Sequence, residues 1–288
     1  MILITGAGGN VGREVLNLIA KTGARVRAGY QSVRKAEEVP GIEAVEIDYK
    51  RPESMRIALK GVDRVFLVGP PTAALVDLER SAIDAILEAG GVQQVVKLSA
   101  MGGRGAIFPR LHTESEEYIA SSGVPYTFLR PNGFMQNIVN YNGATIASQN
   151  AFYGSEGDGK ISLIDIRDVA AVAVKALTEE GHVGKVYTLT GLEALTNADV
   201  AKILSRSLGR EIRFVNLPPD KFKEALLSAG VSEWSANALV DLQRLYRERN
   251  AARVTQDVEQ VLGRPPVRLE QFVDDHKSGF AAQKQASG

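Results

Sequence analysis

Thr5-Gly6-Ala7-Gly8-Gly9-Asn10-Val11-Gly12 closes the apolar run Met1-Ile2-Leu3-Ile4 and opens a stretch in which Val11, Val15, Leu18 and Ile19 recur at helical spacing. A strand that passes through a glycine turn into a helix is the entry unit of a dinucleotide-binding α/β fold. Gly6, Gly9 and Gly12 stand three residues apart. The first permits a tight turn, the second lets a pyrophosphate approach the backbone, and the third lets helix and strand pack closely. Free N–H groups at the helix start attract phosphate. Gly6, Ala7, Gly8, Gly9, Asn10, Val11 and Gly12 are therefore the first candidate cofactor contacts.

Beyond this turn, short β-branched runs alternate with helical patterns. Strands are predicted at residues 1–5, 25–30, 44–48, 64–68, 94–99 and 126–129, with helices at 11–21 and 75–89. This alternation predicts an α/β fold, a Rossmann doubly wound parallel sheet, with a smaller, mostly helical C-terminal domain. After Arg130-Pro131-Asn132-Gly133 the rhythm breaks into a polar, Asn- and Gly-rich stretch over 136–159, where the chain leaves the sheet. A helix over 166–177 and a strand over 186–190 follow, then a mainly helical segment with one strand near 212–216. The expected division is 1–133 plus 164–191 for the dinucleotide-binding domain and 134–163 plus 192–280 for the cap, with a frayed end over 281–288.

Composition narrows the partners. The 288 residues are 44% hydrophobic, with 34 basic and 34 acidic side chains and no cysteine. Zero net charge supplies no field to attract nucleic acid or an acidic membrane. Lack of cysteine excludes disulfides, thiolate nucleophiles and Cys-based metal sites, and three histidines make no metal cluster. Apolar periodicity from Met1 onward and the absence of a long apolar run point to a cytoplasmic protein that acts on a small molecule. A homo-oligomer remains open.

The end of the second strand selects the cofactor. An acid there would grip the adenine ribose of NAD, but the residues are Gly29-Tyr30-Gln31-Ser32-Val33-Arg34-Lys35. A hydroxyl and two cations suit a 2′-phosphate, so NADP(H) is favoured over NAD(H) and Gln31, Ser32 and Arg34 join the site. Alternatively, Arg34 and Lys35 only begin a solvated helix running to Val39. Asp48, after the third strand, either hydrogen-bonds the adenine amine or caps the helix near Pro52. Ligands lie outside the carboxyl ends of parallel strands, which adds Gly69-Pro70-Pro71, Ser99-Ala100-Met101 and Pro131-Asn132-Gly133-Phe134 with Gln136.

The glycine turn, Val95-Val-Lys-Leu-Ser99, His112-Thr-Glu-Ser-Glu-Glu-Tyr-Ile-Ala-Ser-Ser-Gly123, Tyr126-Thr-Phe-Leu-Arg-Pro131, Ile164-Asp-Ile-Arg-Asp-Val-Ala170 and Tyr187-Thr-Leu-Thr-Gly191 together resemble the NmrA-like group of atypical short-chain dehydrogenases/reductases. The likeness spans Met1 to about Leu269. It implies a reductase of quinones, azo compounds or triphenylmethane dyes, or a sensor that binds the dinucleotide without turnover. It also implies that Pro131 to Gln136 form the nicotinamide-side loop and that His112 opens the family's H-x-x-[ST]-E helix. Many relatives carry arginine where Gln31 stands, so use of both NADH and NADPH is compatible with this chain.

Carbonyl-reducing relatives use Tyr-x-x-x-Lys, in which the lysine lowers the pKa of the proton-donating tyrosine. Tyr30, Tyr49, Tyr118, Tyr126, Tyr141, Tyr153, Tyr187 and Tyr246 all lack a lysine four residues on. Reduction of a simple ketone, which generates a basic alkoxide, is therefore disfavoured. A conjugated acceptor leaves a delocalised, weakly basic product, so proximity to the cofactor suffices. Phe134 and Met135 are expected as stacking surface or, at the start of an apolar pattern, as part of the core, Asn137 and Tyr141 as orienting groups, and His112 as an optional proton source or only the start of its helix. Asp165 and Asp168 read as helix-start residues rather than a catalytic pair. The sensor alternative would use 239–253 as a docking surface.

Overall fold

Leu3 and Ile4 are fully buried and Ile2 nearly so, as expected of a strand covered on both faces. This strand, β1 (Ile2–Ile4), lies inside a seven-stranded parallel sheet, with two strands on one side and four on the other. The computed structural model describes residues 1–36 and 39–281, so Glu37 and Glu38 in the helix predicted up to Val39, and 282–288 in the frayed end, lie outside the described residues. After β1 come α1 (Asn10–Ile19), β2 (Val26–Tyr30), β3 (Ile42–Glu46), α2 (Pro52–Ala58), β4 (Arg64–Leu67), α3 (Leu75–Ala89), β5 (Gln94–Leu98), α4 (Ile107–Ser122) and β6 (Tyr126–Pro131). The chain then forms α5 (Gln136–Gln149), β7 (Ala151–Gly154), α6 (Ile166–Thr178) and β8 (Val186–Leu189). It ends with α7 (Asn197–Leu208), β9 (Arg213–Asn216), α8 (Pro219–Ser228), α9 (Glu233–Arg247), α10 (Asp257–Leu262) and α11 (Leu269–Asp275).

Sheet order is β3-β2-β1-β4-β5-β6-β8, with every neighbouring pair parallel. The winding reverses between β1 and β4, so the crevice outside their carboxyl ends is the switch point at which such sheets bind ligands. The third strand starts two residues earlier than its apolar pattern predicts, because Ile42 already pairs with Val26.

The chain divides into two units. The first comprises Met1–Pro131, Ile166–Leu189 and Asp257–Arg264. On one face of its sheet, Met55, Ile83, Ile86 and Ile119 from α2, α3 and α4 pack with Leu3, Val65, Leu67 and Val95 of the strands. Each such side chain contributes about 1.5–3 kcal/mol through burial. On the other face α1 packs against α6. Asp168, in the first turn of α6, is fully buried and pairs with Arg264 at 2.8 Å, while Asp257 accepts from the Thr188 N–H at 2.6 Å. These ties hold Asp257–Arg264 to the sheet unit, whereas the sequence pattern assigned them to the smaller domain.

The second unit comprises Asn132–Asp165, Thr190–Gln256 and Pro265–Gly288, described to residue 281. Its core joins Met135, Ile138 and Ile146 of α5 with Phe152, Ile203, Leu204, Phe272, Val273 and Phe280. β7 and β9 form a separate two-stranded parallel sheet. The polar stretch predicted over 136–159 is thus an ordered helix and strand. Three asparagines and Gly143 weaken its intrinsic helical signal, but α5 buries Ile138, Gly143 and Ile146, and packing overrides propensity. Gly143 is required there, since a Cβ would lie 2.7 Å from the Gly279 carbonyl oxygen. Among the described residues no helix is long and apolar enough to cross a membrane, and no three metal-ligating side chains cluster.

Candidate active site

In the first unit the glycine turn has the geometry its spacing implies. Gly6 is left-handed at φ +60°, and a Cβ on Gly12 would lie 2.2 Å from the Gly6 carbonyl oxygen. Gly9 stands at the N-cap without a side-chain cap, and the first turn of α1 holds no acid. The opening N–H groups of α1 thus face the crevice with neither a competing side-chain acceptor nor a repelling charge. Gly6, Gly8, Gly9 and Asn10 are exposed, whereas Ala7, Val11 and Gly12 are buried and act by shaping the turn. This cradle fits a dinucleotide pyrophosphate.

At the end of β2, Gln31 and Arg34 are exposed and Ser32 is half-buried, with 33–35 forming one 3₁₀ turn. Asp48 is not the helix cap: Arg51 holds that position, followed by Pro52. The Asp48 carboxylate accepts from the Lys50 N–H at 2.9 Å and Arg51 Nε at 3.1 Å, and these bonds, backbone first, lower its pKa. It organises the turn into α2.

The Gly69 loop is anchored by a buried polar cluster. Thr5 Oγ1 donates to the Phe66 carbonyl at 2.9 Å and accepts from the Val68 N–H at 2.8 Å, locking β1 to the exit of β4. The Gly69 N–H donates to Glu79 Oε1 at 3.1 Å. Glu79 Oε2 accepts from Lys97 Nζ at 2.6 Å and from the Ser115 hydroxyl, and Lys97 Nζ lies 3.3 Å from His112 Nδ1. Burial, and secondarily the Lys97 charge, hold the His112 pKa well below its usual value. His112 is therefore held neutral near pH 7 and has no imidazolium proton to give there. Ser99 donates to Glu116, which also pairs with Arg130, so the serine proton is committed to a structural carboxylate. Ala100 and Met101 are half-buried, and the Met101 N–H donates to the Pro131 carbonyl at 2.9 Å. Pro70 is half-buried and Pro71 exposed.

In the second unit the Asn132 side chain is fully occupied. Its Nδ2 donates to Ser162 Oγ and the Ala251 carbonyl, both at 2.8 Å, and its Oδ1 accepts from the Gly133 N–H at 2.9 Å. Phe134 is half-buried and pairs by backbone with Ile164. Met135 is 3% exposed and belongs to the core, so of its two expected parts the structure gives the core one and not the stacking surface. Gln136 Nε2 donates to Asp165 Oδ1 at 2.7 Å. Asn137 is half-buried and Tyr141 is 74% exposed.

The sequence model of the NmrA-like family matches residues 1–275. The chain belongs to the NmrA-like family. It is 34% identical to the NAD(P)H azoreductase of Xenophilus azovorans, covering 98% of this chain and 100% of the relative. It is 38% identical, with the same coverage, to the (4-alkanoyl-5-oxo-2,5-dihydrofuran-3-yl)methyl phosphate reductase of Streptomyces griseus. The Escherichia coli NADPH-dependent quinone oxidoreductase in complex with NADPH superposes with a TM-score of 0.88 at 28% identity, covering 96% of this chain and 99% of that one.

Two site-supporting residues of this NmrA-like protein escape the motif reading. Glu79 falls on the apolar stripe of α3, between Leu75 and Ile83, and Lys97 interrupts Val95-Val96-Lys97-Leu98 in β5. A charge in each of two apolar patterns is the available signal that they pair. A surface cavity of about 610 Å³ lies at the opposite edge of the sheet, before β4 and β5, lined by Leu59, Gly61, Val62 and Gly90. That is the amino-terminal side, away from the glycine turn.

Proposed function

We propose that this NmrA-like protein is an NAD(P)H-dependent oxidoreductase that delivers hydride to a conjugated acceptor, a quinone, azo or triphenylmethane compound, without a Tyr-Lys catalytic pair. The observation that carries the reading is the uncapped, acid-free start of α1 behind the tight Gly6–Gly12 contact, which suits a pyrophosphate. The exposed Arg34 and the lack of an acid at the end of β2 favour NADP(H), with NAD(H) still accommodated. The bound nicotinamide supplies the hydride.

The chain's own part is to hold and orient. Lys97 is buried against Glu79 and so is withdrawn from any role beside a tyrosine. His112 carries no imidazolium proton near neutrality. A site so poor in acids suits an acceptor whose reduced form is delocalised and takes its proton from water. The relatives' names agree, since azo, quinone and 5-oxo-2,5-dihydrofuran compounds all carry a conjugated unsaturated centre.

The test is loss of reduced-nicotinamide absorbance with NADPH, and NADH in parallel, against a benzoquinone, a naphthoquinone, an azo dye and a triphenylmethane dye. Acceptor-dependent oxidation, faster with NADPH, is expected. Tight calorimetric binding of NADPH with no acceptor accelerating its oxidation would overturn the reductase reading in favour of a dinucleotide sensor.

A further inference from the structure

Within the first unit, the peptide that leaves β4 is held at both ends by side chains from other elements. The Val68 carbonyl accepts from the Tyr49 hydroxyl at 3.0 Å, and the Gly69 N–H donates to Glu79 Oε1 at 3.1 Å. These two groups belong to one peptide plane. A peptide that precedes glycine turns over at low cost, because glycine takes φ of either sign, so a grip on the carbonyl as well as on the N–H fixes which way it faces. Gly69 cannot be exchanged to the same end, since a Cβ there would lie 2.6 Å from Glu79 Oε1.

Val68 is the residue on which the glycine turn closes. A Cβ on Gly6 would lie 2.9 Å from Val68 Cβ and 3.1 Å from its Cγ1, and Gly6 is the left-handed residue that starts the turn. The Val68 N–H donates to Thr5 Oγ1 at 2.8 Å, so Val68 is tied to the end of β1 through backbone and side chain alike. In so close a packing, a shift of the Val68–Gly69 peptide passes directly to Gly6 and from there to the start of α1.

Tyr49 is itself anchored. Its ring packs on the apolar cluster that α2 and α3 form against the sheet, and its carbonyl accepts from the Ser81 hydroxyl of α3 at 2.8 Å. Burial raises the pKa of the phenol, against a smaller opposing effect of the Thr5 hydroxyl, so Tyr49 keeps its proton and remains the donor. In the sheet, β2 and β1 stand between β3, which Tyr49 follows, and β4, which Val68 follows. The hydroxyl therefore ties together two loops at the carboxyl edge that lie on either side of the glycine turn.

We propose that Tyr49 is a positioning residue for the dinucleotide: its hydroxyl holds the Val68–Gly69 peptide in the orientation that supports the left-handed turn at Gly6, and so sets cofactor affinity by acting through that turn. This rests on the reading that the start of α1 holds the cofactor pyrophosphate.

The test is Tyr49→Phe in the full-length protein, which keeps the ring and removes the donor. Calorimetry well below the melting temperature is expected to show NADPH binding about 3- to 10-fold weaker than in wild type, the range for one hydrogen bond. With a naphthoquinone as acceptor, KM for NADPH should rise by a similar factor while kcat at saturating NADPH stays level. Ile86→Val, a change in the core of the same unit, should lower the melting temperature and leave NADPH affinity at the wild-type value, which separates positioning from loss of stability. Unchanged affinity in Tyr49→Phe, an affinity loss that Ile86→Val matches, or a fall in kcat with KM unchanged overturns the assignment. If Gly12→Val binds NADPH as wild type does, the pyrophosphate site itself is lost and the Tyr49 assignment with it; weakened binding in Gly12→Val beside unchanged binding in Tyr49→Phe removes the Tyr49 role alone.

Discussion

His112 shows how burial reverses what a motif suggests. Its match to the family's helix-opening histidine made it a candidate proton source, but the structure places it inside α4, and a buried imidazole facing Lys97 Nζ gains more from staying neutral. Its folded-state pKa lies well below the ordinary 6.5, so protonation favours the unfolded chain. The stability it contributes is fully present above pH 6.5 and is lost as pH falls through the folded-state value. The melting temperature of wild type should therefore drop on acidification from about pH 7.5 to about pH 5, and His112→Asn should flatten that slope. The same neutrality predicts that kcat/KM stays level between about pH 6 and pH 8; a limb with an inflection near the histidine range, absent in His112→Asn, would restore the proton-donor role. Gly12 makes the opposite kind of case, because its spacing states its role directly. Gly12→Val would drive two methyls toward the Gly6 carbonyl and should weaken NADPH binding more than about 10-fold by calorimetry, a loss of at least about 1.4 kcal/mol. Glycine spacing is legible because backbone geometry alone sets it. Met135 and Tyr49 are not, since a methionine in the core and one on a pocket wall have the same neighbours in sequence, and only tertiary packing brings the Tyr49 hydroxyl to the Val68 carbonyl.

At the level of elements, Glu79 and Lys97 join α3 to β5 and, through Gly69, Ser115 and His112, connect the loop after β4 with α4. Both side chains are fully buried, so each charge depends on the other. Lys97→Met should cost about 3–5 kcal/mol in urea unfolding, because it strands a buried carboxylate, whereas the double variant Lys97→Met with Glu79→Leu should recover most of that loss. Recovery in stability without recovery of NADPH affinity would show that the pair is kept to place the Gly69 loop. If the single variant unfolds like wild type, the cluster contributes nothing. Parallel strands and their helices were readable as elements because the strands are short, mostly apolar runs and the helices between them carry an apolar stripe. α5 and β7 were not, since asparagines and glycines there are offset by contacts with segments that follow much later in the chain, such as β9 and Gly279.

Across the whole molecule, 34 basic and 34 acidic residues leave no net field to gather an anionic cofactor, so binding energy must come from the local donors of the glycine turn and from Arg34. A ligand that binds only the folded protein stabilises it in proportion to its occupancy, by about 2.7 kcal/mol at 100 times the dissociation constant. For a chain of this size that is a rise in melting temperature on the order of 5 °C. NADPH should therefore shift the melting temperature more than NADH does at equal concentration. Arg34→Ala should bring the two shifts together, by weakening NADPH and leaving NADH as it was, because the cation meets only the extra phosphate. Added salt should narrow the gap in wild type but not in the variant, since an exposed ion pair is screened while backbone donors on a pyrophosphate are screened less. Equal shifts for both cofactors in wild type would mean that Arg34 is only a solvated surface charge, and no shift with either would remove the dinucleotide from the start of α1.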